Sequence, residues 1–237
     1  MRKIIINSLI LVIMFYIGLL IFPRLIQRKM AIDEQHTFNQ ITQEINSKNI
    51  ITALRKKYQN NDIIGFLEIP ETNIKYPVTQ REGDNAYYLN HGYDGKSQIN
   101  GTLFLDKDND KKFRDLNSVI YGHRMASGTL FNQLPRLLEN RMYETAIIKL
   151  TTLDRVEIYR VYSIMKVSSS MNYRTTKFES QEEFNEYLEK ILSCSEVQEG
   201  NNLPGPPTKI ITLSTCTYEK KNYRLVVVGW LSETETF

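Results

Sequence analysis

Eight short runs rich in β-branched and aromatic residues follow one another from residue 63 onward, and they constrain the fold more than any other feature of the chain. They read IIGFLEIP, IKYPVTQ, GTLFLD, NSVIYGH, TAIIKLTTL, RVEIYRVYSIMKV, TKIITLSTC and YRLVVVGWL, each bounded by turn-forming residues. No helical period alternates regularly with them, which argues against a doubly wound α/β sheet. The pattern predicts a mostly β chain whose strands close into an antiparallel-rich barrel, because closure leaves no unpaired strand edge. One helix interrupts the series just ahead of TKIITLSTC. Ser180 with Glu183 forms a capping box, and Phe184, Leu188, Ile191 and Leu192 supply its apolar stripe.

The first sixty residues follow other rules. Residues 4–22, IIINSLILVIMFYIGLLIF, are 19 positions without a charge, and about 20 apolar residues span a bilayer core. A cleaved signal peptide has an apolar part of about 7–15 residues before a small-residue cut. This longer run ends Phe-Pro-Arg, so an uncleaved anchor is expected. Beyond it, Ile32, Phe38, Ile41, Ile45, Ile51, Leu54 and Tyr58 recur mostly at helical spacing. The expected organisation is an anchor with basic flanks over residues 1–29, a helical juxtamembrane segment packing on the barrel over 30–60, and the barrel itself over 61–237. Charge supports this division. Five basic residues (Arg2, Lys3, Arg24, Arg28, Lys29) precede the first acid, Asp33; removing those five from 30 leaves 25 basic against 27 acidic residues. A body so near neutrality lacks the clustered Lys and Arg of a nucleic-acid footprint.

Chemistry concentrates on the strand TKIITLSTC. Alternation puts Ile210, Thr212, Ser214 and Cys216 on one face, with Ile211, Leu213 and Thr215 on the other, so the thiol shares its face with hydroxyls. A packing cysteine normally has aliphatic neighbours. A register pairing Cys216 with Arg224 on the next strand would put a permanent cation beside the thiol, where it could favour the thiolate or an oxyanion. An exposed arginine closing a hairpin is the ordinary alternative. A nucleophilic thiol also gains from a nearby base, and the chain has three histidines. His36 falls on the juxtamembrane helix, His91 in a Gly- and Asp-containing turn, and His123 at the end of a strand opening onto a loop. His123 is the preferred partner, His91 the second. Cys194, the other cysteine, falls on the side of Tyr187 and Ile191 of the late helix and is assigned to packing, although a bridge to Cys216 is sterically open at this spacing.

These residues in this order resemble the sortases, cysteine transpeptidases of Gram-positive cell surfaces. NSVIYGHRM, then TLSTC, then an arginine opening the last strand carry the resemblance. DNAYYLNHGYDGKSQINGTLFLD and the helix-bearing insertion of about residues 168–205 resemble class B in particular. The chain departs from the class in Arg124, where asparagine is common, and in a short connection from Cys216 to Arg224. The resemblance implies Cys216 as nucleophile, His123 as acid and base, and Arg224 as the group that orients the substrate and stabilises the oxyanion. It also implies a groove using Asn85, Leu89, Tyr121, Ser214 and Thr215, and Met171, Tyr173, Tyr187 and Leu188 of the insertion could form a wall, although packing of the late helix explains Tyr187 and Leu188 as well. The partners implied are a secreted protein bearing a C-terminal sorting signal and an amine, either of a peptidoglycan precursor or of a pilin lysine. The implied location is the membrane, by a single pass, with the catalytic domain outside. A non-catalytic surface barrel remains the rival class. A papain-type hydrolase does not fit, since there the cysteine precedes the histidine and opens a helix.

No metal or cofactor is expected. Asp106, Asp108 and Asp110 alternate as in a calcium loop, but Lys111 and Asn117 stand where that loop needs glycine and glutamate.

Overall fold

The computed structural model describes residues 2–125, 128–197, 205–217 and 219–237. All eight runs are strands: β1 (Ile63–Ile69), β2 (Ile74–Thr79), β3 (Leu103–Leu105), β4 (Asn117–Tyr121), β5 (Ile147–Thr151), β6 (Arg155–Ser168), β7 (Ile210–Cys216) and β8 (Tyr223–Thr236). They close into a barrel in the order β1-β2-β3-β4-β7-β8-β6-β5. Six of the eight pairings are antiparallel, as expected; β2 with β3 and β4 with β7 run parallel. The second parallel pair needs a long crossover, and the chain makes it through β5, β6 and the inserted helix.

Two helices precede the barrel, α1 (Arg2–Glu44) and α2 (Ser47–Tyr58), with Asn46 capping α2 by accepting from Lys48 N. The end of α1 folds back on α2, so residues 31–60 form a helical hairpin. Phe38, Ile41, Ile51 and Leu54 are buried as the spacing predicts, whereas Ile32 is exposed. Phe38 stands edge-on to Phe66, Tyr76 and Tyr93. The side chains of residues 4–6 and 8–13, half of the expected anchor, lie outside the described residues. Among the described residues no helix is long and apolar enough to cross a membrane. The visible part of the run is nonetheless exposed: Met14, Phe15, Tyr16 and Phe22 are each at least 64% accessible.

The inserted helix α3 (Gln181–Ser193) begins where the capping box predicts. Ser180 accepts from Glu183 N at 3.2 Å, while the Glu183 carboxylate accepts from Glu179 N. It buries Phe184, Tyr187, Leu188 and Ile191 against Tyr162, Met165, Val226 and Val228 on the outer face of the barrel. The interior is filled separately by Phe66, Leu103, Ile120, Ile148, Ile211, Leu213 and Val227. A kinked 3-10 stretch, Phe131–Glu144, adds Leu134 and Leu137 to that core. No helical period marks it in the sequence, because Pro135 and three non-helical residues at its kink break the apolar spacing.

One expectation is corrected. Cys194 is not packed: it caps the C-terminus of α3, where its sulfur is exposed, and it is a free thiol, as is Cys216.

Candidate active site

Cys216 ends β7 and is exposed, while the residues before it are buried. Its neighbours are set by register. On one side β7 pairs with β8, and Cys216 lies opposite Arg224. Directly opposed residues share a face, with β-carbons about 5 Å apart. The turn that makes this register possible contains Asn222 at φ 62, a left-handed conformation that asparagine tolerates well. Thr217 N donates to Tyr223 O at 3.2 Å. The Arg224 guanidinium donates to Tyr223 O, and among the described residues no carboxylate pairs with it.

On the other side β7 runs parallel to β4, with Tyr121 opposite Ser214. Gly122 N continues the ladder onto Ser214 O at 3.2 Å. His123 lies two residues beyond Tyr121 as Cys216 lies two beyond Ser214, so both follow the same last pair of the ladder. Gly122 is needed for this passage. A β-carbon there would stand 2.4 Å from Leu103 Cδ2 and 2.8 Å from the Phe131 ring.

The imidazole is held from a third direction. His123 Nε2 contacts Leu89 O at 2.8 Å; a carbonyl only accepts, so Nε2 carries the proton and Nδ1 is the nitrogen left to exchange one. Leu89 closes the short 3-10 turn Tyr87–Leu89, and Gly101, at φ +57, packs so closely that a β-carbon would come within 2.6 Å of Leu89 O. His91, the second choice, is occupied elsewhere: its ring stacks on Tyr87 at 3.9 Å and its Nδ1 donates to Tyr87 O. His36 is exposed on α1.

The expected groove residues separate into two sets. Tyr121 lies opposite Ser214, the Tyr121 hydroxyl and Asn85 Nδ2 meet on one oxygen of Asp106, and Leu89 is 41% exposed. Thr215 is not among them. It is 3% exposed, lies opposite Leu225 of the interior core, and its hydroxyl finds no partner among the described residues. Strand alternation turns it away from the face that carries the thiol. In the insertion, Tyr173 donates to or accepts from Ser214 Oγ at 2.9 Å, so the loop is tied to the cysteine strand two residues before the thiol. Met171 is half-buried against the α3 cluster.

Sequence reasoning passed over Asp106, dismissed with its turn. Its buried carboxylate accepts from Tyr121 Oη at 2.6 Å and from Asn85 Nδ2 at 3.1 Å on the same oxygen. Burial, with that hydrogen bond to a carboxylate, pushes the Tyr121 hydroxyl well above the usual phenol range. A buried acid between two polar groove residues carries no sequence period, and only LFLD at the strand end hinted at it. Among the described residues no cluster of Cys, His, Asp or Glu has the geometry of a metal site.

A closed, eight-stranded mixed barrel with a strand-end thiol on its outer face is the architecture of the sortases, a class of cysteine transpeptidases. The family's Sortase domain matches residues 67–232. Sortase B of Listeria monocytogenes is 35% identical over 182 residues, covering 73% of this chain and 70% of that protein. Sortase B of Staphylococcus aureus is 30% identical over 173 residues, covering 72% and 70%. The solved Staphylococcus aureus sortase B-substrate complex superposes with a TM-score of 0.74 at 27% identity, covering 87% of this chain and 96% of that one. The chain belongs to the sortase B family. It is therefore a cysteine transpeptidase that anchors surface proteins, and its family implies the cell surface.

Proposed function

We propose that the chain joins a sorting-signal-bearing secreted protein to an amine of a peptidoglycan precursor through a thioester on Cys216. The observation that carries this reading is the pairing of an exposed Cys216 with Arg224, supported by the β4–β7 register, whose last pair, Tyr121 with Ser214, precedes His123 and Cys216 by two residues each. Cys216 Sγ, its proton passed to the imidazole of His123, attacks the carbonyl carbon at the scissile bond. The resulting oxyanion is met by the Arg224 guanidinium, whose planar donors suit it and which has no competing carboxylate among the described residues. As the carbon–nitrogen bond breaks, the imidazolium of His123 gives its proton to the leaving amine. The incoming amine then attacks the thioester, His123 takes a proton from it, and the thiolate leaves. Asn85, Tyr121, Ser214 and the side chain of Leu89 hold the peptide on the outer face.

The amino-terminal half of α1 spans the membrane in this reading, with the barrel outside. The support is the uncharged run of residues 4–22 and the exposure of its described apolar side chains, for which water is a poor solvent.

The test is mass spectrometry of residues 30–237 incubated with sorting-signal peptides and two acceptors, a peptidoglycan-type amine and a lysine-bearing pilin peptide. The expected result is cleavage with transfer to the first acceptor, abolished by Cys216→Ala and His123→Ala. Preferential transfer to the lysine peptide would make the chain a pilin-polymerising enzyme, and unchanged turnover in Cys216→Ala would remove the thioester altogether.

A further inference from the structure

The helical hairpin ends on Asn60, one residue past Gln59, the left-handed cap of α2. The Asn60 N–H still donates to Arg55 O at 3.3 Å, so the residue is held to the helix end. Its side chain reaches forward into the barrel loops. Asn60 Oδ1 accepts from Asp62 N at 2.9 Å, and Nδ2 donates twice, to Tyr93 O at 2.8 Å and to Tyr88 Oη at 3.0 Å. A backbone carbonyl only accepts and a backbone N–H only donates, so these partners fix which way the amide points. The two acceptors lie 33 and 28 residues further along the chain, which makes this a tie between distant segments rather than a local turn.

Both acceptors matter to the site. Tyr88 is the middle residue of the turn Tyr87–Leu89 and is buried. Its hydroxyl accepts from Asn60 and donates to Asp62 Oδ2 at 2.8 Å, while its carbonyl accepts from Thr102 N at 3.1 Å. The next residue, Leu89, offers the carbonyl that holds His123 Nε2 at 2.8 Å. Tyr93 connects the other acceptor to the hairpin, since its ring stands edge-on to Phe38 of α1 at 5.2 Å and to Tyr58 of α2 at 4.6 Å. One amide therefore joins the end of α2, a buried tyrosine of the turn, and the loop on which α1 rests. A short 3-10 turn has weaker backbone hydrogen bonds than an α-helix, so its position follows what its side chains are tied to.

We propose that Asn60 is a positioning residue for the acid and base of the reaction: by holding Tyr88 it fixes the turn from which Leu89 O aims the imidazole of His123. The inference rests on the transpeptidase reading above for the role of His123. It makes the helical hairpin a support of the catalytic histidine as well as a partner of the barrel core. Proton transfer needs donor and acceptor within hydrogen-bond reach, and a small displacement of a catalytic group lowers rate steeply. Of the proposed groove residues only Leu89 lies on this turn, so peptide binding depends on Asn60 less than the chemical step does.

Two variants test this, each in the full chain. Asn60→Asp has nearly the same shape and keeps an oxygen for Asp62 N, but loses both Nδ2 donors; Tyr88→Phe removes the other end of the contact. Steady-state kinetics with a sorting-signal peptide should show kcat down about tenfold in each, with KM changed by less than about threefold. The double variant should also fall about tenfold, whereas independent effects would multiply to about 100-fold. A purely local role for Asn60, served by Oδ1 in its own turn, would leave Asn60→Asp at the wild-type kcat. Nitrogen NMR of the imidazoles reads the same coupling without turnover: the His123 Nε2 signal should move from its wild-type position in both variants. Should circular dichroism show Asn60→Asp unfolded, Tyr88→Phe carries both measurements. Unchanged kcat or unchanged His123 ring signals in the folded variants overturn the proposal. Failure of the transpeptidase reading would look different: the wild-type chain would cleave no peptide in a Cys216-dependent way, and the ring signals alone would then decide whether Asn60 positions His123.

Discussion

At the scale of single residues the site is an exercise in register. The β7–β8 ladder sets Arg224 opposite Cys216, while His123 follows the last β4–β7 pair by the same two residues that separate Cys216 from Ser214. In the proposed mechanism Arg224→Ala removes the oxyanion partner, and a fall in kcat/KM of about 100- to 1,000-fold is expected, typical of a lost oxyanion donor. Arg224→Lys keeps the charge without the planar fork and recovers only part of it. Gly101→Ala acts at one remove. Its methyl group would press on Tyr88 O and on Leu89 O, the carbonyl that orients His123, and so displace the turn that carries both. Steady-state kinetics should therefore give a lower kcat with KM little changed, while circular dichroism stays native. Thiol labelling also has a definite outcome. Both cysteines are exposed, so mass spectrometry after iodoacetamide should find two modified sites, and activity should be lost in step with Cys216 alone. Cys194→Ser, with one site, should remain fully active.

At the scale of elements, α1 and α3 do the positioning that strands cannot. α1 docks through Phe38 and through Glu34, whose carboxyl is pushed up to about 7 from 4.5 by burial, against the opposing effect of a hydrogen bond with Tyr93 and with Asp94 nearby. Tyr58 of α2 joins the same cluster. A carboxyl raised in the folded state binds its proton more tightly there than in the undocked chain. Its contribution to docking is therefore complete below about pH 4.5 and is lost as pH rises through about 7. Protection factors of the Tyr93 segment, which divide out the intrinsic pH dependence of exchange, should fall over that window, and Glu34→Gln should abolish that fall. α3 holds the insertion by Tyr187, whose hydroxyl accepts from Asn117 and donates to Tyr173 O. The capping box and stripe of α3 were legible because helix ends and helix faces are local patterns. The kinked 3-10 stretch was not, because its burial comes from what packs on it.

At the scale of the whole molecule, the helical hairpin and barrel share one core, since Phe38, Ile41, Ile51 and Leu54 cluster with Phe66 and Tyr76. Removing residues 1–29 should leave melting temperature and peptide turnover unchanged. Phe38→Ala should cost about 3 kcal/mol, the range for a buried aromatic, read as a lower midpoint in chemical denaturation. The sequence by itself determined the strands, the late helix, the face of β7 that carries Cys216, and the three candidate side chains, because alternation, capping and turn chemistry act over a few residues. Only the tertiary structure decided that β4 and β8 flank β7, that Leu89 offers its carbonyl to His123, that Asp106 accepts from Tyr121 and Asn85, and that Thr215 faces inward. Those outcomes depend on which distant segments come to share an edge or a cavity. Such contacts are fixed by barrel closure and burial of the whole chain, and no local window of residues contains them.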